Sequence, residues 1–285
     1  MNEKEVIFSF FGQRTGLLAT MHHKEKVISP ILEEMLGIKV QVPMNFDTDQ
    51  FGTFTLEIER KGNQLEATKY KAERALHLSG ETLAISSEGV FGPHPSVPWI
   101  PFNREIVFLM DKENKFEIFG EAITTETNYK QTQIKNYQEA YEFCEAVGFP
   151  DHAIIIRRKN ELIKGIHSKD KLEEALEYML KKCSTDEICM ETDMRALYNP
   201  TRMKNIKAAT NNLIRKIYHV CSSCSYPGYE VVERKKGLLC SHCGLKTEQI
   251  KSDIYKCKNC GVSEEKFYPN GNKFANPSNC PFCNP

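Results

Sequence analysis

Eight of the eleven cysteines stand in four Cys-x-x-Cys pairs near the end of the chain: Cys221 and Cys224, Cys240 and Cys243, Cys257 and Cys260, Cys280 and Cys283. Two residues between thiols let one tight turn aim both sulfurs at one ion, and the N–H groups of that turn stabilise the thiolates. Two such turns complete a tetrahedral zinc site with no open position, so the expected role is structural, not catalytic. Gly244 and Gly261, just after two of the pairs, suit the tight turn that leads into the next strand. Disulfides are the competing reading. The odd cysteine count and the absence of a basic-then-apolar leader at the start argue against them. A redox Cys-x-x-Cys would need only one pair.

Successive pairs would make one site from 221, 224, 240 and 243, and another from 257, 260, 280 and 283. Strand-like runs lie between the pairs, "GYEVVERKKGLL" and "EEKFYPNGNKF", the second holding an Asn-Gly turn that suits a hairpin. Two zinc ribbons in tandem is therefore the preferred expectation, with a cross-braced pairing, first with third and second with fourth, as the alternative. Cys144, Cys183 and Cys189 stand singly and read as buried thiols acting as small hydrophobes.

The elements before these pairs must supply whatever the thiols serve. The chain has 285 residues, with 38 basic and 38 acidic side chains, enough length for a sizeable core. No stretch reaches the roughly 18 apolar residues of a membrane span, and the expectation is a cytoplasmic protein with no membrane association. Residues 1–200 carry 24 Lys+Arg against 32 Asp+Glu, and residues 201–285 carry 14 against 6. Two zinc-thiolate sites would reduce that second excess to about +4. A tail so modestly basic fits a solvated surface better than a nucleic-acid grip.

Apolar periodicity before residue 217 alternates between helix and strand. "EVIFSFF" and "GLLAT" read as strands or as one bulged strand. "KEKVISPILEEMLG" and "NQLEATKYKAERALHLSG" read as helices, the second capped by Asn63 and stopped by Gly80. "TLAISSEGVFG" is a buried strand, "REIVFLMDKENKFEIFGEAITTETN" a hairpin turning at "DKEN", and "HAIIIRR" and "EICMET" further strands. "SKDKLEEALEYMLKKC" and "TRMKNIKAATNNLIRKI" are helices. The expected fold is α/β: a mixed twisted sheet, mostly parallel, flanked by helices over residues 1–216, then a small tandem zinc-ribbon module over 217–285.

Polar residues gather where strands end, which is where α/β sheets place ligands. "ATMHHKEK" offers Thr20, Lys24 and Lys26 at a helix start, suited to phosphate. "SSEG" offers Glu88. "ETDMRALYNPTR" offers Glu191, Asp193, Arg195 and Arg202, carboxylates that suit Mg2+ and arginines that suit phosphate. The loop "GPHPSVPWIPFNRE", holding the only tryptophan, is shaped to close over a base or to pack on the sheet.

The order of these pieces resembles the inosine-triphosphate pyrophosphatase and Maf-like superfamily. "ATMHHKEKV" is similar to that family's "ATxNxxK", with His22 where the family has asparagine. "ERKGNQLEATKYKAERA" is similar to its acidic segment and "NAxxKAxxA" helix, which places Glu59 and Lys71 near matching positions. "SSEGV" stands where the family has "DDSGL", leaving Glu88 as the nearby acid. The hairpin "IVFLMDKENKFEIFGEA" and the segment "GFPDHAIII" follow in the family's order. The resemblance spans residues 5–215 and implies a cleft, Mg2+, and cleavage of a nucleoside triphosphate to monophosphate and pyrophosphate. Under it Thr20, Lys26, Lys71 and Arg195 bind phosphate, while Glu59, Glu88 and Asp193 hold metal or activate water. The whole chain is also similar to an uncharacterised bacterial family that ends in a pair of zinc ribbons. The alternative class is a non-catalytic binding protein, its zinc module gripping a protein or nucleic-acid partner.

Overall fold

The computed structural model describes residues 2–43, 63–181 and 188–285. The chain divides into two compact units, residues 11–214 and residues 1–10 with 215–285.

In the larger unit a five-stranded sheet has the order β2-β1-β3-β4-β5. Its strands are β1 (Thr15–Ala19), β2 (Lys39–Gln41), β3 (Leu83–His94), β4 (Val97–Asp111) and β5 (Phe116–Thr124). The mixed sheet of the sequence reading is present, but its parallel part is confined to the pairings of β1 with β2 and β3. β3, β4 and β5 form an antiparallel meander. Period-two alternation turns Leu17, Ala19, Ala84, Phe108 and Met110 to one face, where Ala72, Ala75 and Leu76 of α3 (Gln64–Ser79) cover them. That helix is capped by Asn63 and ends at Gly80 in a left-handed conformation, as the sequence pattern predicts, and Glu66 completes a capping box with Asn63. α2 (Glu25–Leu36) likewise ends at left-handed Gly37 and buries Ile28, Leu32 and Leu36.

Strands after residue 125 form a second sheet, order β6-β9-β7-β8, from β6 (Gln131–Ile134), β7 (Ile154–Arg158), β8 (Glu161–Ile166) and β9 (Ile188–Thr192). α4 (Tyr137–Val147) and α5 (Lys169–Lys181) pack on it: Phe143, Val147, Leu172 and Leu176 meet Ile154, Ile156, Ile188 and Met190. Cys144 is buried in this core, and burial pushes its thiol up to about 11. Cys189 is half-buried, and Cys183 lies outside the described residues.

Two local expectations are corrected. "EVIFSFF" is not a strand but part of α1 (Glu3–Phe11). Asn2 and Glu5 cap it reciprocally, each N–H donating to the other's side chain at 2.9 Å. Val6, Ile7 and Phe11 are buried at helical spacing. Aromatic and β-branched residues favour strands, but the cap and the period prevail here. "GPHPSVPWIPFNRE" is not a loop either. It is the tip of the β3–β4 hairpin, paired as far as His94 with Val97, and leaves Trp99 83% exposed.

α6 (Pro200–Tyr218) crosses β5 closely at Gly120. A Cβ there would sit 2.2 Å from the Leu213 amide nitrogen and 2.4 Å from the Ala209 carbonyl oxygen. Both atoms are backbone and cannot step aside. Gly120→Ala should therefore destabilise the α/β unit by about 1–3 kcal/mol, read as a lowered urea midpoint of that unit.

Candidate metal centres and a buried charge cluster

The smaller unit holds a three-stranded antiparallel sheet, β10 (Glu230–Lys236), β11 (Ile250–Lys256) and β12 (Ser263–Phe267), with β11 central. The Cys-x-x-Cys turns lie at its two ends. In the first, the Ser225 N–H donates to the Cys221 carbonyl (2.8 Å) and the Cys221 N–H to the Tyr226 carbonyl (2.9 Å). The same two bonds recur from Gly244 to Cys240 and Cys240 to Leu245, and from Gly261 to Cys257 and Cys257 to Val262. Ser225, Gly244 and Gly261 are left-handed, with φ of 59°, 71° and 75°. The glycines after the second and third pairs thus serve the turn as expected, and Ser225 adopts the same conformation without that freedom.

The sulfurs gather as Cys221, Cys224, Cys257 and Cys260, and as Cys240, Cys243, Cys280 and Cys283, each set within 4.8 Å of one another. This is the cross-braced pairing, first with third and second with fourth, and it replaces the successive pairing preferred from sequence. Strand direction is the reason. β10 and β11 pair Glu230 with Lys256 at one end and Lys236 with Ile250 at the other. The first and third turns, before β10 and after β11, therefore meet at one end. The second turn, between β10 and β11, lies at the opposite end. β12 runs back toward that end, pairing Phe267 with Ser252, and a bridge between Cys240 and Ala275 brings in the fourth. The Asn270-Gly271 turn does not close a hairpin, because β12 pairs with β11 instead.

Four thiolates about 2.3 Å from zinc lie about 3.8 Å apart in a regular tetrahedron. Here Cys221 and Cys260 are 3.7 Å apart, Cys224 and Cys257 3.6 Å, Cys240 and Cys283 3.8 Å, and Cys243 and Cys280 3.6 Å. The two four-cysteine groups could hold two zinc ions. Each group has two buried and two more exposed cysteines. Tyr229, buried with Cys221 and Cys257, packs beside Tyr226, Tyr255 and His219. This aromatic cluster is the small unit's core around the first group.

The larger unit gathers its charges where β1 stops. β1 pairs with β3 only as far as Ala19 with Ser86, so β3 continues past it through Ser87 and Glu88. Lys24 fills the gap, its ammonium donating to the Ser87 carbonyl (3.3 Å) and hydroxyl (3.1 Å). Lys71 of α3 forms a buried ion pair with Glu88. Arg202 of α6 donates from Nε to Glu105 Oε1 at 2.9 Å, with its guanidinium over the Phe91 ring. Asn103 donates to the same Glu105 oxygen at 3.2 Å. Glu105 Oε2 is buried without a hydrogen-bond partner among the described residues. Gly89 makes room for the pair, since a Cβ there would fall 2.3 Å from Glu105 Oε1. Lys24, Lys71, Glu88, Glu105 and Arg202 are all buried.

Of the residues singled out from sequence, the cluster brings together Lys71 and Glu88, with Lys24 and Arg202 beside them. Thr20 is buried at the end of β1, its hydroxyl donating to the Met21 carbonyl at 3.1 Å. Lys26 is exposed and lines a separate cleft with Lys204 and Lys207. Asp193 and Arg195 pair with each other at 2.6 Å, and Asp193 also accepts the Gly165 N–H. Glu191 pairs with Arg157. Glu59 lies outside the described residues. Glu105 was not legible as a site residue. An acid inside "REIVFLM" is the only signal it gives, and its burial becomes visible only with Arg202 beside it. A second cleft of about 450 Å3 runs along the β3–β4 tip, lined by Pro93, Trp99, Ile100 and Tyr129.

Burial, and next the neighbouring Arg202, lower the Lys24 ammonium from 10.5 to about 7, against the pull of Glu88 and Glu105. The unfolded chain then holds a proton that the folded chain has lost, so between about pH 7 and 10 stability rises with pH. Wild type should gain on a Lys24→Met variant over that window, by on the order of 1 kcal/mol per pH unit. Unfolding free energies of both at pH 6, 8 and 9.5 measure this. A difference that does not change with pH would contradict the assignment.

Among the described residues no helix is long and apolar enough to cross a membrane. None of the curated proteins shows a significant match to this chain. Residues 71–285, which include the Lys71–Glu88 pair, the Arg202–Glu105 pair and all eight paired cysteines, match the family model described as a domain of unknown function, DUF6671, and the chain belongs to that family.

Proposed function

We propose that this chain is a two-zinc protein whose α/β unit receives the phosphate part of a nucleotide. One observation carries the ligand reading. Three buried cations, Lys24, Lys71 and Arg202, face two buried carboxylates, Glu88 and Glu105, at the carboxyl end of β1. A buried cluster with excess positive charge is balanced either by losing a proton or by taking up an anion. A phosphate group supplies that anion where an α/β sheet ordinarily places its ligand. Glu105 Oε2, buried and without a hydrogen bond among the described residues, is the oxygen best suited to a Mg2+ accompanying the phosphates. Asp193 and Glu88, each engaged by a cation, fit a binding role better than water activation, so binding stands ahead of pyrophosphate cleavage. Zinc does no chemistry here. Two closed four-thiolate sites hold together a small module with little apolar core.

Nucleoside triphosphates with Mg2+, followed by calorimetry and by pyrophosphate release, separate binding from hydrolysis. Lys71→Ala, which removes one of the cluster's cations and leaves the Glu88 carboxylate to repel phosphate, should weaken nucleotide binding about tenfold. No binding of any nucleotide or of pyrophosphate by wild type would refute the ligand reading. For the metals, elemental analysis should give about two zincs per chain by ligand count, and Cys257→Ser should leave about one. A count near one for wild type would refute the two-site module.

A second reading, a partner-binding module, has one observation in its favour. Leu239, Leu245, Phe274 and Phe282 are 42–65% exposed beside the second cysteine group. A protein partner suits these apolar groups better than nucleic acid does. The densest basic run is already occupied, Arg234 with Asp253, Lys235 with Glu265 and Lys236 with Glu248. Oligonucleotide binding should accordingly be weak and lost by about 0.2 M salt.

A further inference from the structure

α2 and α6 each turn one cation inward, Lys24 and Arg202, into the buried cluster. On their outer side the first turns of the same helices border a cleft of about 380 Å3, a size suited to a small ligand. Its floor is apolar: Val27, Leu197, Pro200 and Met203. Its rim is cationic, with Lys26 from α2 and Lys204 and Lys207 from α6. The ammonium groups of these three lysines have no ion-pair or hydrogen-bond partner among the described residues. Two other titratable groups line the cleft, His23, whose ring lies 3.2 Å from Glu25, and Asp151. Three unpaired cations against one lining carboxylate leave the cleft positive, and the N-terminal ends of both helices add to that potential. His23 of its lining, like His22 before it in sequence, holds a left-handed backbone, φ 60° and 64°. Such conformations persist where the surroundings impose them, and they concentrate at ligand sites.

We propose that this cleft binds a small amphipathic anion: a short chain or single ring resting on the Val27–Met203 floor, with one carboxylate or similar acidic group held by Lys26, Lys204 and Lys207. A polyanion is disfavoured. Residues 11–214 carry 26 basic against 30 acidic side chains, so the unit around the cleft is acidic on balance and a nucleic-acid backbone running beyond the cleft would meet repulsion. A bare inorganic anion would leave the floor unused. Met203, unbranched and polarizable, lets the floor adapt to different apolar bodies.

The site is separate from the phosphate cluster, and its test does not depend on that reading. Calorimetric titration of the full zinc-bearing chain at low salt with octanoate, n-octanol and inorganic phosphate isolates the two halves of the ligand. Octanoate should bind at least about tenfold more tightly than either octanol or phosphate. Lys26→Ala/Lys204→Ala should cost about tenfold in octanoate affinity. Met203→Glu, which sets a carboxylate on the floor, should do the same. Octanoate that does not bind, binds no better than octanol or phosphate, or binds the variants as well as wild type would overturn the proposal.

Discussion

The antiparallel pairing of β11 between β10 and β12 is the constraint on which the C-terminal unit depends. Each strand reversal moves the chain to the opposite end of the sheet, so cysteine turns placed before, between and after the strands alternate ends. First and third must meet, as must second and fourth. The consequence is mechanical. An ion in either group would join segments more than thirty residues apart, and the loop closed through one group contains part of the other. A zinc in either group would stabilise the sheet that positions both, because closing such loops removes entropy from the unfolded chain. The sheet itself offers little burial, with every residue of β12 exposed.

In the α/β unit the corresponding constraint is the shortness of β1. It releases β3 after Ser86, and the strand edge left open is met by Lys24 from one helix start and Gln64 from another. Lys24 donates to the Ser87 carbonyl, and the Gln64 side chain donates to the carbonyls of Glu88 and Arg104 at 2.9 Å. Buried backbone groups need partners, and meeting that need with a lysine brings a charge into the interior. The other charges gather around it: Lys24 sits within the influence of Arg202, Glu88, Glu105 and Lys71, where two carboxylates offset two of the three cations.

Much of this was legible because local rules and tertiary context agree. Asn63 and Gly80 bound α3 by capping chemistry alone, and "DKEN" closes the β4–β5 hairpin as its polar turn predicts. Spacing picked out all eight cysteines of the two clusters, since Cys-x-x-Cys needs only a local turn. Their partners were not legible, because pairing is decided by strand direction, which no window of sequence contains. α1 was misread for a related reason: Ile7, Phe8, Phe10 and Phe11 have strand-like propensity, and the cap that overrides it rests on Asn2 and Glu5. The buried cluster was half visible. Lys71 and Glu88 stood out beside strand ends and helix faces, whereas Glu105 sits in an apolar run and gains meaning only from Arg202, 97 positions away.

The interleaving of the two metal sites is the central claim, and through-bond correlation of 113Cd to the cysteine β-protons in the cadmium-substituted chain tests it most directly. One cadmium should correlate with Cys221, Cys224, Cys257 and Cys260, and the other with Cys240, Cys243, Cys280 and Cys283. A cadmium coupled to Cys221, Cys224, Cys240 and Cys243 together would contradict it.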